Sequence, residues 1–177
     1  MATNRDMNRE DNKDKKDSGF VDHVVSLRRV TKVTKGGKRF SFVAFVITGD
    51  KQGAVGLGLG KSREVSMAIA KATNKARKKM ITIARRGSTI PYEALGNHGA
   101  SRVMVRPASK GTGNIAGGAV RSIMDAAGIE DVLTKSLGSS NSINVAKAAM
   151  NALAKLRSVE RICLLRGKSV QEMIKGS

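Results

Sequence analysis

A glycine-rich segment that ends in Lys61 and Ser62 is the part of the sequence most suggestive of phosphate chemistry. Residues 56–62 read GLGLGKS, and a glycine-rich loop followed by Lys-Ser can wrap the phosphates of a nucleotide with its backbone amides. The spacing does not fit, because such a loop requires a glycine where this sequence has Val55. We therefore do not predict a nucleotide-hydrolysing site. Nucleotide binding that Lys61→Ala abolishes would contradict this interpretation.

A second glycine-rich segment, residues 111–116, reads GTGNIA and fits a loose dinucleotide-binding pattern in front of a helix. That pattern also needs a second parallel strand followed by an acidic ribose partner about 20 residues further on, and this context is absent. We predict a tight turn from strand to helix, whose free amides could face a phosphate or a neighbouring protein.

Residues 38–45, KRFSFVAF, are close to the aromatic motif of proteins that read single-stranded RNA. Arg39 and Ser41 replace the glycine and the small residue of that motif. We therefore predict that the phenylalanines of this segment belong to the hydrophobic core and do not stack on bases.

Residues for catalysis, metal binding or a disulfide are scarce. His23 and His98 are isolated, and no pair of carboxylates or nucleophile with a base stands out. Cys163 is the only cysteine, so neither an intrachain disulfide nor a cysteine-rich zinc site can form, and we expect it to be a small buried side chain in a reducing compartment. The apolar stretch 42–47 is too short to span a bilayer. The sequence predicts a cytoplasmic protein with no enzymatic activity, cofactor, metal, membrane or small-molecule substrate.

The charge distribution points to a polyanionic partner. Lys and Arg number 33 against 14 Asp and Glu, which gives a net charge of +19. Residues 1–19 contain five residues of each sign and are neutral, so the excess lies entirely in the remainder. We predict a disordered charged leader over residues 1–19, and nucleic acid as the partner of the folded part.

Hydrophobic patterning predicts an α+β fold of two modules, the first spanning residues 20–86 with the order β-β-β-α. We expect strands over 24–34, 39–48 and 54–62, and a Gly-Gly hairpin turn near residue 36. The second strand is apolar on both faces and should be central. In the third strand every second residue is glycine, so the following helix or a ligand backbone should approach closely. That helix should begin at an N-cap Ser62 and turn inward Val65, Ile69, Ala72, Ala76 and Met80.

A linker over residues 87–99 should separate a smaller α+β module over residues 100–177. We predict strands at 101–106 and 131–137, helices through 119–124 and over 143–156, and a terminal helical turn at Ser169. Glu172, three residues further on, completes a capping-box pattern. The first module has 16 basic and 3 acidic residues, and the remainder of the sequence from Gly87 onward has 12 and 6, so the first module should dominate RNA affinity.

Three long segments resemble protein S-five of the bacterial small ribosomal subunit in order and spacing. They read VSLRRVTKVTKGGKRFSFVAFVITGD, GAVGLGLGKSREV and SRVMVRPASKGTGNIAGGAVRSI, and the resemblance extends over about residues 24–174. It implies a first domain similar to double-stranded-RNA-binding domains and a second α+β domain of the type named after the family. It also implies 16S ribosomal RNA, the small-subunit proteins numbered four and eight and the messenger RNA path as partners, with roles in subunit assembly and translational accuracy.

The resemblance also implies roles for individual residues. Thr31, Lys32, Lys35 and Gly37 match the family's RNA-contacting loop, where changes can give spectinomycin resistance. Gly113 and Arg121 match positions at the interface with protein four, where changes loosen decoding accuracy. Lys110 and Asn114 depart from the family pattern near that interface.

Basic side chains of the hairpin and of the glycine-rich strand should neutralise phosphates, and the bare glycines should permit close approach of RNA. The complete set of predicted RNA contacts is Arg28, Arg29, Thr31, Lys32, Lys35, Gly36, Gly37, Lys38, Arg39, Gly56, Gly58, Gly60, Lys61 and Arg63. The alternative is a free-standing double-stranded-RNA-binding regulator, which would not sediment stoichiometrically with small subunits at moderate salt.

Overall fold

A computed structural model describes residues 19–175 and shows the predicted mixed α+β architecture. The charged leader predicted for residues 1–19 lies, apart from Gly19, outside the described residues. The first module contains one antiparallel sheet with the strand order β1-β2-β3-β4 and one helix. Its elements are β1 (Val21–Thr34), β2 (Gly37–Gly49), β3 (Ala54–Ser62), α1 (Val65–Arg77) and β4 (Ile81–Thr82). The predicted β-β-β-α order is confirmed, with the short β4 added at the edge.

Strand β2 is buried on both faces, as its two-sided apolar pattern predicts. Ala44 and Val46 pack with alanines of α1 in a small cluster. Phe45 and Ile47, on the opposite face, belong to the largest hydrophobic cluster of the described residues. The first sheet is therefore a middle layer, with α1 on one side and the second module on the other.

The glycines of β3 form the seat of α1. A Cβ atom placed on Gly56, Gly58 or Gly60 would overlap the backbone carbonyl oxygen of an α1 alanine. The helix meets this surface with Ala68, Ala72 and Ala76, all fully buried. Because neither surface carries a large side chain, the two backbones lie unusually close together.

The start and the buried face of α1 differ from the prediction. Ser62 is the last residue of β3, and the N-cap is Glu64, whose side chain makes no capping hydrogen bond. Ala72 and Ala76 are buried as predicted, whereas Val65, Ile69 and Met80 are only half-buried. The glycine seat sets this face, because only the small alanines fit against it.

The second module also combines one sheet with helices. Its strands have the order β5-β6-β8-β7, in which β7 and β8 are parallel and the other pairs antiparallel. The elements are β5 (Ala94–His98), β6 (Ser101–Pro107), β7 (Asn114–Ile115), α2 (Gly118–Ala127), β8 (Val132–Gly138), α3 (Ser142–Ala154), α4 (Val159–Arg166) and α5 (Val170–Lys175).

The linker predicted in front of this module is wrong, whereas the predicted capping box and the buried cysteine are confirmed. The segment predicted as a linker contains the paired strand β5 and the fully buried Ile90, so it is part of the fold. Helix α4 was not predicted. The capping box is confirmed, since the Ser169 amide donates to the Glu172 carboxylate (2.9 Å) and the Glu172 amide donates to Ser169 Oγ (3.2 Å). Cys163 is a buried free thiol, as predicted.

The two modules share a core and are also joined backbone to backbone. The turn after β2 carries Lys51 at a φ of 58°, and its amide donates to the carbonyl oxygen of Ala126 over 2.9 Å. Arg85 Nη1 donates to the carbonyl oxygens of Lys51 (3.3 Å) and Gly128 (3.2 Å). The turn is thereby fixed against the end of α2, so the orientation of the first sheet on the second module is defined.

Candidate nucleic-acid interface

The β1–β2 hairpin extends well beyond the rest of its sheet. Pairing between β2 and β3 ends at Phe42 and Ser62, whereas β1 and β2 remain paired as far as Thr34 and Gly37. We call residues 30–41 the hairpin arm. Its five residue pairs project about 17 Å past the end of β3, at about 3.4 Å per antiparallel residue.

A two-residue turn of Lys35 and Gly36 closes the arm. Gly37, with a φ of 133°, adopts a backbone conformation that side chains disfavour. Thr34 Oγ1 donates to the Gly37 carbonyl oxygen over 3.0 Å and fastens the turn. The predicted hairpin is confirmed, and it places Lys35 and Lys38 at an exposed tip.

One face of the sheet changes along its length from apolar to cationic. Residues paired across antiparallel strands project from the same face. Arg28 and Lys61 both pair with Val43, and Lys32 pairs with Arg39, which places these four cations on the face that carries Phe45. Near Phe45 this face packs against the second module, whereas its continuation along the arm is exposed and basic.

The opposite face of the arm carries an exposed aromatic ring. Phe40 is 48% exposed, and the guanidinium carbon of Arg29 lies 4.8 Å from the centroid of its ring. Phe45 is buried and Phe42 is half-buried, as predicted, but the prediction that Phe40 belongs to the core is wrong. Its position lies beyond the end of α1 and β3, so no element in the described part of the chain covers it.

Strand β3 ends before the arm begins, so the edge of β2 is unpaired along the arm, and a cleft forms at this edge. It is a cleft of ≈ 560 Å³, lined by Val30, Thr31, Lys32, Arg39, Phe40, Ser41, Lys61 and Arg63. We call this cleft the notch. It brings together five of the predicted RNA-contacting residues, from the end of β1, the start of β2 and around the end of β3. Phe40, Ser41 and Val30 were not among the predicted contacts, because only the end of strand β3 shows that they are uncovered.

The β3 glycines do not belong to this site. Gly56, Gly58 and Gly60 are buried beneath α1, so the prediction that they admit an RNA backbone is wrong. The helix, the other candidate for that face, occupies it. The segment is also a paired strand, which differs from the open loop that a nucleotide-binding site of this sequence type requires.

The charge of the arm is uncompensated within the fold. Between Asp22 and Asp50 the sequence contains six basic residues and no acidic one. Three salt bridges occur among residues 19–175, and none of them involves a cation of the arm or the notch. The potential near the notch is therefore strongly positive, which suits a ligand that carries several phosphates.

The residues that match the family's protein interface lie in the second module. The amides of Gly111 and Gly113 donate to Asp131 Oδ1 over 2.9 and 3.0 Å, so these amides are not free to bind a phosphate, contrary to the prediction for this turn. Arg121 is 64% exposed, with Nε 3.9 Å from the carboxylate of Asp125. Asn114, one of the departures from the family pattern, donates from Nδ2 to Asp125 Oδ1 over 2.8 Å.

Asp131 is a buried carboxylate fully engaged by its neighbours, with 3% of its surface exposed. Ser88 Oγ donates to Oδ2 over 2.7 Å, opposite the two glycine amides. The hydrogen bond from Ser88, followed by those from the backbone amides, lowers the pKa of Asp131 and outweighs the opposing effect of burial. The turn that carries Gly113 is thus built around an anion of the protein itself.

Two absences characterise residues 19–175. No group of three or more His, Cys, Asp or Glu side chains there could hold a metal ion. No helix in the same range has both the length and the apolar character needed to cross a membrane.

Sequence comparisons identify relatives that match most of the chain. Residues 20–84 match Ribosomal protein S5, N-terminal domain, and residues 96–166 match Ribosomal protein S5, C-terminal domain. Small ribosomal subunit protein uS5 of Lawsonia intracellularis is 55% identical over 153 residues, which cover 86% of this chain and 94% of that protein. The proteins of the same name from Flavobacterium psychrophilum and Azotobacter vinelandii are 52% and 46% identical. Their alignments cover 88% and 92% of this chain, and 89% and 98% of the respective relative.

These matches define the class: the protein is a ribosomal protein of the small subunit. Within that class the chain belongs to the ribosomal protein S5 family, because both domains match and the identity is near 50% over most of its length. The resemblance noted in the sequence is thereby confirmed.

Proposed function

We propose that the hairpin arm and its notch bind ribosomal RNA of the 16S type and hold the protein on the small subunit. The observation that carries this proposal is the change of one sheet face from apolar core near Phe45 to exposed cations along the arm. The second module covers the apolar half of the face. RNA phosphates would bind and neutralise the exposed cations of the other half.

The stability of the arm supports the same assignment. A two-stranded ribbon without a hydrophobic face is marginally stable on its own in water. Residues 31–33 and 35–40 are all exposed, so no core within residues 19–175 holds the arm. A permanent polyanionic partner would fix it, and Lys35 and Lys38 at the tip would reach deepest into that partner.

Salt dependence of RNA binding by the full-length protein tests the proposal. The logarithm of the binding constant should fall linearly with the logarithm of salt concentration, and the steepness counts neutralised phosphates. Lys35→Ala or Lys38→Ala should each reduce the magnitude of that slope by about one unit or less per lost phosphate contact. Lys168→Ala, in the exposed connection between α4 and α5, is the matched control and should leave the slope unchanged. An unchanged slope in both tip variants would remove the arm from the contact surface.

The finer roles implied by the family resemblance are part of this proposal. The protein supports subunit assembly, lies along the messenger RNA path and contacts the small-subunit proteins numbered four and eight. The exposed guanidinium of Arg121 is available for a contact with a neighbouring protein. The second module would hold an interface that opens or closes as the subunit changes shape during decoding. Weakening the contact would shift the balance between the open and closed states and so change accuracy.

A substitution of Arg121 tests the accuracy role. Arg121→Ala should weaken the contact with protein four and raise misreading, because both depend on the same interface. Binding of the two purified proteins and a misreading reporter should be measured on the same variant. Normal fidelity together with a demonstrably weakened contact would refute the mechanism.

A further inference from the structure

We propose that the notch takes a single unpaired nucleotide of RNA, with its base stacked on Phe40 and its flanking phosphates held by the surrounding cations. This inference rests on the RNA-binding function proposed above and specifies which RNA element the notch recognises. It is carried by one cleft at the unpaired edge of β2, which is lined by the exposed Phe40 ring on one face of the arm, by Lys32, Arg39 and Lys61 on the other face, and by Arg63 and two hydroxyl groups.

Phe40 presents an exposed aromatic ring. An aromatic side chain is mainly apolar, and its exposure on a basic arm provides nothing for folding. The guanidinium of Arg29 lies over the ring at 4.8 Å from the centroid, a distance at which a cation and an aromatic face attract each other. This contact orients the ring while nearly half of its surface stays exposed. An oriented, exposed ring is the platform on which proteins stack nucleic-acid bases.

The other residues that line the notch match the parts of a nucleotide. Lys32, Arg39, Lys61 and Arg63 supply positive charge for phosphates. Thr31 and Ser41 supply hydroxyls that can donate to or accept from a ribose or a base edge. Because β3 pairing ends at Phe42, the adjoining edge of β2 also offers backbone polar groups to a ligand.

The Phe40 ring distinguishes an unpaired nucleotide from a regular duplex. In an A-form helix the base faces are stacked on each other and the major groove is too narrow for side chains to read. Lysines and arginines can serve a duplex backbone as well as a bulge, but Phe40 can stack only on a base that has left the helix. The ring therefore selects for a bulged or looped nucleotide next to the phosphates that the cations bind.

The test uses the full-length protein and two RNA hairpins of the same stem sequence. One hairpin carries a single bulged 2-aminopurine, and in the other the 2-aminopurine is paired with uracil. Fluorescence of the bulged base should be quenched when the protein binds, because stacking on the ring quenches it. The protein should bind the bulged hairpin about tenfold more tightly, the effect of one base–aromatic stack.

Phe40→Leu and Phe40→Tyr form the matched pair of variants. Leu should lose both the quenching and the preference for the bulge, so that its affinities for the two hairpins become equal. Tyr should retain the quenching and the preference, because it keeps the aromatic face. Thermal unfolding of both variants should match the parent, since the ring is not part of the core.

Equal affinity of the parent protein for the two hairpins, or full quenching by Phe40→Leu, would overturn this inference and leave the RNA-binding function intact. Failure of the parent protein to bind either hairpin at low salt would overturn both.

Discussion

A Cβ atom on Gly58 would overlap the carbonyl oxygen of Ala72, so the third strand and the helix that follows it are in direct backbone contact. This contact fixes the sheet on which the hairpin arm is built. The backbone at Gly58 cannot shift without disturbing its pairing with Val46 in β2. The contact therefore makes Gly58 a structural residue, although it lies in a segment that resembles a phosphate-binding loop.

Replacing Gly58 with Ala should destabilise the protein by about 3 kcal/mol or more, since forcing atoms into a packed interface costs 1–3 kcal/mol and the neighbour here is rigid backbone. Gly118→Ala is the matched control, because an added Cβ there meets nothing within 4 Å and Ala favours the helix it begins. Denaturant unfolding of both variants measures the difference. Equal stability of the two variants would show that the glycine seat tolerates a side chain.

The sequence predicts this part of the fold well, for reasons that lie in particular residues. Alternating glycines in β3 indicate a close approach, and two-sided apolar residues from Phe42 to Ile47 indicate a central strand. The sequence leaves open whether helix or RNA approaches the glycines. Only the three-dimensional placement of the helix alanines Ala68, Ala72 and Ala76 shows that the helix does.

The burial predicted for Phe40 was wrong and helix α4 was missed, because both depend on features that the periodicity of apolar residues does not contain. Phe40 continues the apolar alternation of Phe42 and Ala44, but it lies past the point where β3 ends, so the pattern overstates its burial. Helix α4 has exposed leucines and little amphipathic character, which hides it from a search for a buried face. Its capping residues were the available signal, since Ser158 accepts from the Arg161 amide and Gly167 ends the helix in the left-handed conformation.

The junction between the modules can be tested at Gly128. Gly128 and Gly167 both end helices with a positive φ, of 70° and 63°. An added Cβ on Gly128 would overlap the carbonyl oxygen of Lys51 in the other module, whereas on Gly167 it meets nothing within 4 Å. Gly167→Ala should therefore cost about 1–2 kcal/mol for backbone strain alone. Gly128→Ala should cost clearly more, as measured by denaturant unfolding, and equal costs would show that the modules separate easily.

Acid should reveal the role of Asp131. Its pKa is lowered in the folded protein, so the carboxylate stabilises the fold above its unfolded pKa of about 3.9, and this stabilisation is lost as the pH falls through the lower folded value. Asp131→Asn should be less stable than the parent at pH 7, and the gap should narrow below about pH 4. Ser88→Ala should reproduce part of the loss, because it removes the donor to Oδ2. A gap between the parent and Asp131→Asn that stays constant down to pH 2.5 would exclude this linkage.

Ultraviolet crosslinking in purified small subunits, followed by mapping of the crosslinked peptides, tests most directly whether the arm lies against ribosomal RNA. The account predicts that peptides spanning residues 30–41 carry crosslinked ribosomal nucleotides, and that Phe40 is among the crosslinked positions. Crosslinks confined to the second module, with none in residues 30–41 or at Lys61 and Arg63, would contradict it.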